Sequence, residues 1–341
     1  MKPTALALSI ALALLEPGFA APPDARTMSD KMTRNFFSVF SLFEAQERSL
    51  DVIIARFPDL RQDATMARVE FDQAFGASIK ALDDFLTDNS SPDFDWSTLK
   101  ETRIRAALGE MDFSQVSRQE ALDYIETVKK RTKGDIPQHI YQVLVAFHPL
   151  YSREPHMEIV NGYSREYTSD GTGKSLGIKV SIEYPRSWEA ADGRRPHILQ
   201  NFESPDCSAS AGITVSRIPP LWARLWARLF SEQDNLNYLS SKEYIEEEMP
   251  GAIFLASGKT TIAGKTAAFC DAMVTRSAPA GDFTDRQRTY CILHKGKLVT
   301  LTFHVGAAGI HTPDEMNAAF LKYEKLFGLM ATSLDFFDKY E

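Results

Sequence analysis

The spacing of apolar residues along this chain changes once, near residue 157, and that change sets its architecture. Before it, apolar residues recur every three or four positions, the period of a helix with one buried face. After it they alternate, the period of a half-buried strand. At 341 residues the chain also exceeds what one hydrophobic core usually organises. The expectation is a multi-domain protein, an all-α helical bundle over 21–150 followed by an α+β domain over 157–341.

Residues 28–147 read as helix. Phe36, Val39, Phe40, Phe43, Leu50, Ile53, Ile54 and Phe57 keep to one face. Pro58 interrupts the stripe, Phe71, Phe75, Leu82, Phe85 and Leu86 resume it, and Asp88 to Asp95 is a loop. Thr98 with Glu101, and Ser117 with Glu120, are spaced as capping boxes. Gly134 suits a C-terminal cap, and Pro137 suits the first turn of a last helix carrying Ile140, Leu144 and Phe147. About five helices with short connections make a bundle, its phenylalanine stripe packing a core rather than lining a cofactor.

In the second half, 176–184, 197–203, 212–218, 252–262, 266–276, 286–294 and 298–305 are rich in Val, Ile, Thr and aromatics. Turns such as Asp192-Gly193 and Ala263-Gly264 separate several of them. A final helix is capped by Thr312, opened by Pro313 and boxed by Glu315, with Met316, Ala319, Phe320, Tyr323, Leu326, Phe327 and Met330 in one stripe. So amphipathic a helix lies against a sheet.

Here the sequence resembles a known family. Gly177 to Trp188 (GIKVSIEYPRSW) is similar to the opening strand and Tyr-Pro-x-x-Trp corner of the Mog1/PsbP-like α/β/α sandwich, an antiparallel-sheet fold. Ser240 to Phe269 continues the likeness, then a long hairpin and the C-terminal helix, over roughly residues 160–336. The resemblance implies a non-catalytic binding or assembly-support module. It does not extend to the helical half, and the stretch Pro219 to Leu239 is longer than the family usually has there.

The first twenty residues form a segment of their own. Lys2, an apolar run from Ala5 to Leu15, and small residues Gly18 and Ala20 before a cleavage point describe a signal peptide over 1–20. The run is shorter than the roughly 20 apolar residues that span a bilayer, and no later stretch approaches that length. The expectation is a protein cleaved near Ala21, periplasmic or secreted, and not membrane-spanning. A net charge of -8 argues against nucleic acid as a partner, since phosphate binding needs a surplus of Lys and Arg.

Motifs that carry chemistry fail on context. Gly171 to Ser175 resembles the end of a phosphate loop, but Thr168 stands where its first glycine belongs and a strand follows instead of a helix. Gly173 to Gly177 spells a nucleophile elbow in the reverse structural order. A three-residue turn at Lys295 to Lys297 would pair His294 with Leu298 and leave His304 roughly 20 Å away, too far to share an ion. Glu246 to Glu248 splay around a helix, and Arg194 and Arg195 beside a turn face solvent. No catalytic residue, metal or cofactor is expected, and the chain reads as not an enzyme.

Two further groups stand out. If the hairpin is symmetric about Ala280-Gly281, Cys270 and Cys291 face each other directly. An oxidising compartment then permits a Cys270–Cys291 disulfide, weighed against two reduced core thiols, with Cys207 left over. On a short helix from Leu221 to Phe230, Trp222, Leu225, Trp226 and Leu229 share one side, while Arg224 and Arg228 share another. Trp and Arg are enriched at binding hot spots, so Trp222, Arg224, Trp226 and Arg228 are candidate contacts for a protein or lipid partner, against plain core packing. Function then reads as an exported interaction or assembly-support protein. The alternative is a small-ligand or lipid carrier using a cleft between sheet and helices or between domains.

Overall fold

The computed structural model describes residues 35–90, 95–109, 116–205, 207–217, 232–239, 241–248, 251–278, 281–306 and 312–337. Contacts divide the chain into two units after Arg153.

The first unit is helical. Helix α1 (Phe36–Arg56) buries Phe36, Val39, Phe40, Leu50 and Ile53 along one face, and Pro58 ends it in a 3₁₀ turn through Leu60. Helices α2 (Arg61–Phe71) and α3 (Ala77–Asp88) are joined without a break by a π-helical turn, Asp72–Gly76. A second π-helical turn, Lys100–Arg105, joins α4 (Trp96–Leu99) to α5 (Ala106–Gly109). Helices α6 (Arg118–Thr132) and α7 (Gln138–Ala146) close the bundle against α2, α1 and α3, and α8 (Pro149–Arg153) follows. Phe40 meets the buried Trp96 at 4.6 Å between ring centroids, and Phe36 meets Phe147 at 5.6 Å.

The Ser117–Glu120 capping box forms, with each side chain bonding the other's backbone N–H. The box expected at Thr98 does not cap a helix start. Asp95 is the N-cap instead and accepts from Thr98 N–H at 3.2 Å, so the helix begins three residues earlier than a Thr98 cap would start it. After α6, Gly134 takes φ 83° and its N–H bonds Arg131 O, the left-handed cap read from the sequence.

The second unit opens on α9 (Met157–Val160), β1 (Ser164–Thr168) and β2 (Val180–Pro185), then β3 (Glu189–Asp192), β4 (Ile198–Glu203) and β5 (Ala209–Arg217). Helices α10 (Glu232–Leu239) and α11 (Lys242–Glu248) precede β6 (Ile253–Ile262), β7 (Lys265–Ala278), β8 (Gly281–His294) and β9 (Lys297–Val305). Helix α12 (Pro313–Ser333) and β10 (Asp335–Phe336) complete the described elements. The strands form an antiparallel sheet ordered β3-β4-β5-β9-β8-β7-β6 and a smaller one, β1-β2-β10. The short strands β1, β3 and β10 lie outside the segments expected from alternation.

Helix α12, with its Thr312–Glu315 box in place, packs on β8, β9 and β2. Phe320, Tyr323, Leu326, Phe327 and Met330 enter the core built by Val180, Ile182, Ile213, Val299, Leu301 and Phe303. On the other face of the large sheet, α10 packs on β7 and β8, and α11 on β6. Leu236 and Leu239 meet Ala268 and Cys291, while Ile245 meets Cys270, Ala272 and Val274. Helix, sheet and helix make the sandwich.

Register differs from the expectation at two turns. Lys295 and Gly296 both take positive φ, 46° and 67°, as a two-residue primed turn requires, so His294 pairs with Lys297 rather than Leu298. Side chains alternate, so this one-residue slip puts Cys291 and Leu293 on the opposite face from Val299, Leu301 and Phe303. The two cysteines sit under α10 and α11, not in the α12 core.

Candidate functional site

The signal segment 1–20 and the candidate contacts Trp222, Arg224, Trp226 and Arg228 lie outside the described residues. Cys270 and Cys291 do not face each other. Ala278 pairs with Gly281, which sets Cys270 across from Thr289 and Cys291 across from Ala268. The pair is diagonal, beyond the reach of directly opposed side chains, and no disulfide joins them. Burial pushes the Cys270 thiol up to about 11, with Asp271 adding to the rise, and the Cys291 thiol up to about 12. These are protonated core thiols. Cys207 is exposed and in no disulfide.

Ser175, of the glycine-rich loop, is buried and donates to Thr172 O at 2.6 Å, so its hydroxyl is a turn brace rather than a presented nucleophile. Arg194 and Arg195 are exposed, as read. His294 is buried with its ring 4.2 Å from that of Phe336, whereas His304 bonds Asp285 at 2.9 Å on the other side of its strand pair. Among the described residues no group of His, Cys, Asp and Glu could hold a metal ion. No helix among them is long and apolar enough to cross a membrane.

Charge in the second unit concentrates beneath α12. Asp271 on β7 is 2% exposed and accepts from Arg288 Nε at 2.7 Å and Nη2 at 2.8 Å. Arg288 reaches Glu324 of α12 at 3.1 Å, and Arg286 reaches Asn317 of α12 at 2.7 Å. Both guanidiniums lie over the Phe320 ring, at 4.2 Å for Arg286 and 5.3 Å for Arg288. The Asp271 hydrogen bond, outweighing burial, drives the Arg288 pKa still higher. These bonds tie helix to sheet and leave little for a ligand.

Two features are open. The large sheet ends at β6, a ten-residue strand with Ile253 60% and Leu255 39% exposed. A bulge leaves Leu255 without a register partner, and the strand carries no proline and a single lysine, Lys259. The bulge and Lys259 blunt part of this edge, while proline is absent and Ile253 and Leu255 stay in solvent.

The other is a cleft of about 350 Å³ in the helical unit. Phe40, Phe43 and Ile79 give it an apolar wall, and both π-helical turns border it, through Asp72 and Gly76 on one and Lys100 and Arg105 on the other. A π turn inserts one residue into a helix, is rare, and is frequently found at functional sites. Neither cleft residues nor π turns show in the sequence, because apolar spacing does not reveal one inserted residue.

The fold is thus a helical unit followed by an antiparallel α/β/α sandwich. No family model matches the chain, and no curated protein does. Solved structures similar to it include cyanobacterial PsbP from Synechocystis, at 16% identity over 51% of this chain and 93% of that one, TM-score 0.34. The Ran-binding protein Mog1p of Saccharomyces cerevisiae is similar at 9% identity, over 50% of this chain and 94% of that one, TM-score 0.35. LpqN of Mycobacterium tuberculosis, described as involved in cell envelope biogenesis, is similar at 12% identity, over 52% and 94%, TM-score 0.30. Each of these likenesses covers about half of this chain.

Proposed function

We propose that this chain is a non-catalytic interaction or assembly-support protein that works outside the cytoplasm. The observation that carries the reading is the β6 edge. Its outer backbone groups have no strand partner among the described residues, and Ile253 and Leu255 flank them in solvent. An extended segment of a partner protein can add to such an edge, gaining backbone hydrogen bonds and pockets for alternate side chains. The Trp222 to Arg228 segment, which lies between β5 and β6 in sequence, is proposed as a second contact on the grounds of its composition.

The test compares capture by tagged parent and by Ile253→Lys with Leu255→Lys, both made in the native host with the signal segment present. Partner capture should fall with melting temperature nearly unchanged, because both side chains are exposed. Equal capture by both proteins would refute the edge. Intact mass of the periplasmic product should place its first residue close to Ala21, and retained Met1 on membrane-bound material would refute export. A second reading, a carrier of a small ligand, is favoured by the helical-unit cleft.

A further inference from the structure

The cleft's charges are unevenly satisfied, and that imbalance defines what it would bind. Each of its cations already holds a carboxylate. Lys100 bonds both Asp83 oxygens, at 2.8 and 3.0 Å, Lys80 bonds Asp84 at 2.7 Å, and Arg105 pairs with Glu101. Trp96 Nε1–H donates to the same Asp83 at 2.7 Å, locking that corner. The lining sets three acids, Glu44, Asp72 and Asp83, against three cations, but because Lys80 and Arg105 also hold Asp84 and Glu101 outside it, one carboxylate is left over. Asp72, on the first π turn, makes no hydrogen bond or ion pair among the described residues, and Arg68 one turn earlier acts on it only through space. Among the described residues Glu44 reaches just Arg105, at 3.5 Å. Glu47 lies close enough to feel both of these carboxylates, pairs through Oε2 with Arg68 Nε at 3.0 Å, and has an Oε1 that is buried without a hydrogen bond among the described residues.

Beside these acids stand Phe40, Phe43 and Ile79. We propose that the cleft between the two π-helical turns binds a small organic ammonium with an aromatic or alkyl body. The ammonium sits against Asp72 and Glu44, and the body lies on the Phe40–Phe43–Ile79 wall, where aromatic faces also attract the cation. An anionic ligand would meet cations that are already neutralised and a carboxylate that is not. A volume of about 350 Å³ lies in the range of small-molecule sites. This inference deepens the carrier reading of the cleft and is independent of the β6 edge.

The test is calorimetric titration of the full mature chain with 2-phenylethylamine, 2-phenylethanol and phenylacetate, which share a body and differ in charge. The amine should bind saturably, the alcohol more weakly and the acid not at all. Asp72→Asn should lower amine affinity at least about tenfold, the loss of one charge-assisted contact. Phe43→Ser should lower it for amine and alcohol alike, with circular dichroism confirming the fold of both variants. Failure of the amine to bind, equal binding of phenylacetate, or an unchanged affinity in Asp72→Asn would overturn the proposal. The β6 variant should bind the amine as the parent does, so loss there would implicate general unfolding and count against the cleft.

Discussion

Arg288 grips Asp271 with two nitrogens, Nε on Oδ1 and Nη2 on Oδ2, across the β7–β8 ladder. The carboxylate is out of water and has Arg286 as a further partner at 3.4 Å. Removing one member of a buried pair strands the other charge, which typically costs about 3–5 kcal/mol. Asp271→Ala should therefore lower the unfolding free energy of the second unit by about that amount. Glu324→Ala, which removes an acid left 42% exposed, should cost under about 1 kcal/mol. Urea titration of both variants checks the contrast.

A second expected outcome concerns a corner of the fold. Glu158, 3% exposed, accepts from Ser187 N–H and from Ser187 Oγ, each at 2.7 Å. Those bonds hold the turn between Tyr184 and the buried Trp188. Glu158→Ala should destabilise the unit by about 3 kcal/mol, while Ser187→Ala, which keeps the backbone bond, should cost about half that. Tryptophan fluorescence during unfolding reports on both.

Thiol chemistry should follow burial. In native protein one cysteine, Cys207, should react with iodoacetamide, and Cys270 with Cys291 should react only after unfolding. Mass counting of alkyl groups distinguishes one adduct from three. Recovery of an oxidised Cys270–Cys291 pair would mean a register different from the one seen.

The fourth outcome is a pH dependence. Burial raises the Glu47 carboxyl above its ordinary value of 4.5, Arg68 opposes the rise, and Asp72, Asp51 and Glu44 add to it. A carboxyl with a raised folded-state pKa holds its proton more tightly when folded. Its contribution to stability is thus complete below the unfolded value and lost as pH rises through the folded one. Glu47→Gln should be more stable than the parent at neutral pH, with the gap closing as pH falls below about 4.5. Arg68 keeps its 2.6 Å bond to Asp51 in that variant. Urea midpoints across the acid range test the sign.

What could be read in advance was local. The boxes at Ser117 and Thr312 and the left-handed Gly134 announce themselves within four residues of chain. The period change near residue 157 announces the two classes of structure. Register was not legible, because Lys295 takes a left-handed conformation that its residue type does not advertise, so a two-residue turn looked like three. That slip carried the face of Cys270 and Cys291 with it. The open features were hidden for another reason. The Lys100–Asp83 bond joins residues 17 apart, from α3 to the start of the second π turn, and the β6 edge is defined by which strand fails to follow it. Neither has a periodic signature.

The smaller sheet is closed from far away. Strand β10 pairs with β2 through Asp335–Ser181 and Phe336–Val180, and Ser333 Oγ accepts from Glu183 N–H across 150 residues. Phe336 is fully enclosed in the same core as Val180. During synthesis, therefore, the second unit cannot complete that core until residues 333–336 have left the ribosome, whereas the helical unit can fold as soon as it emerges. The slow step in assembling the second unit is therefore the closure of a contact between segments 150 residues apart, which no local pairing can anticipate.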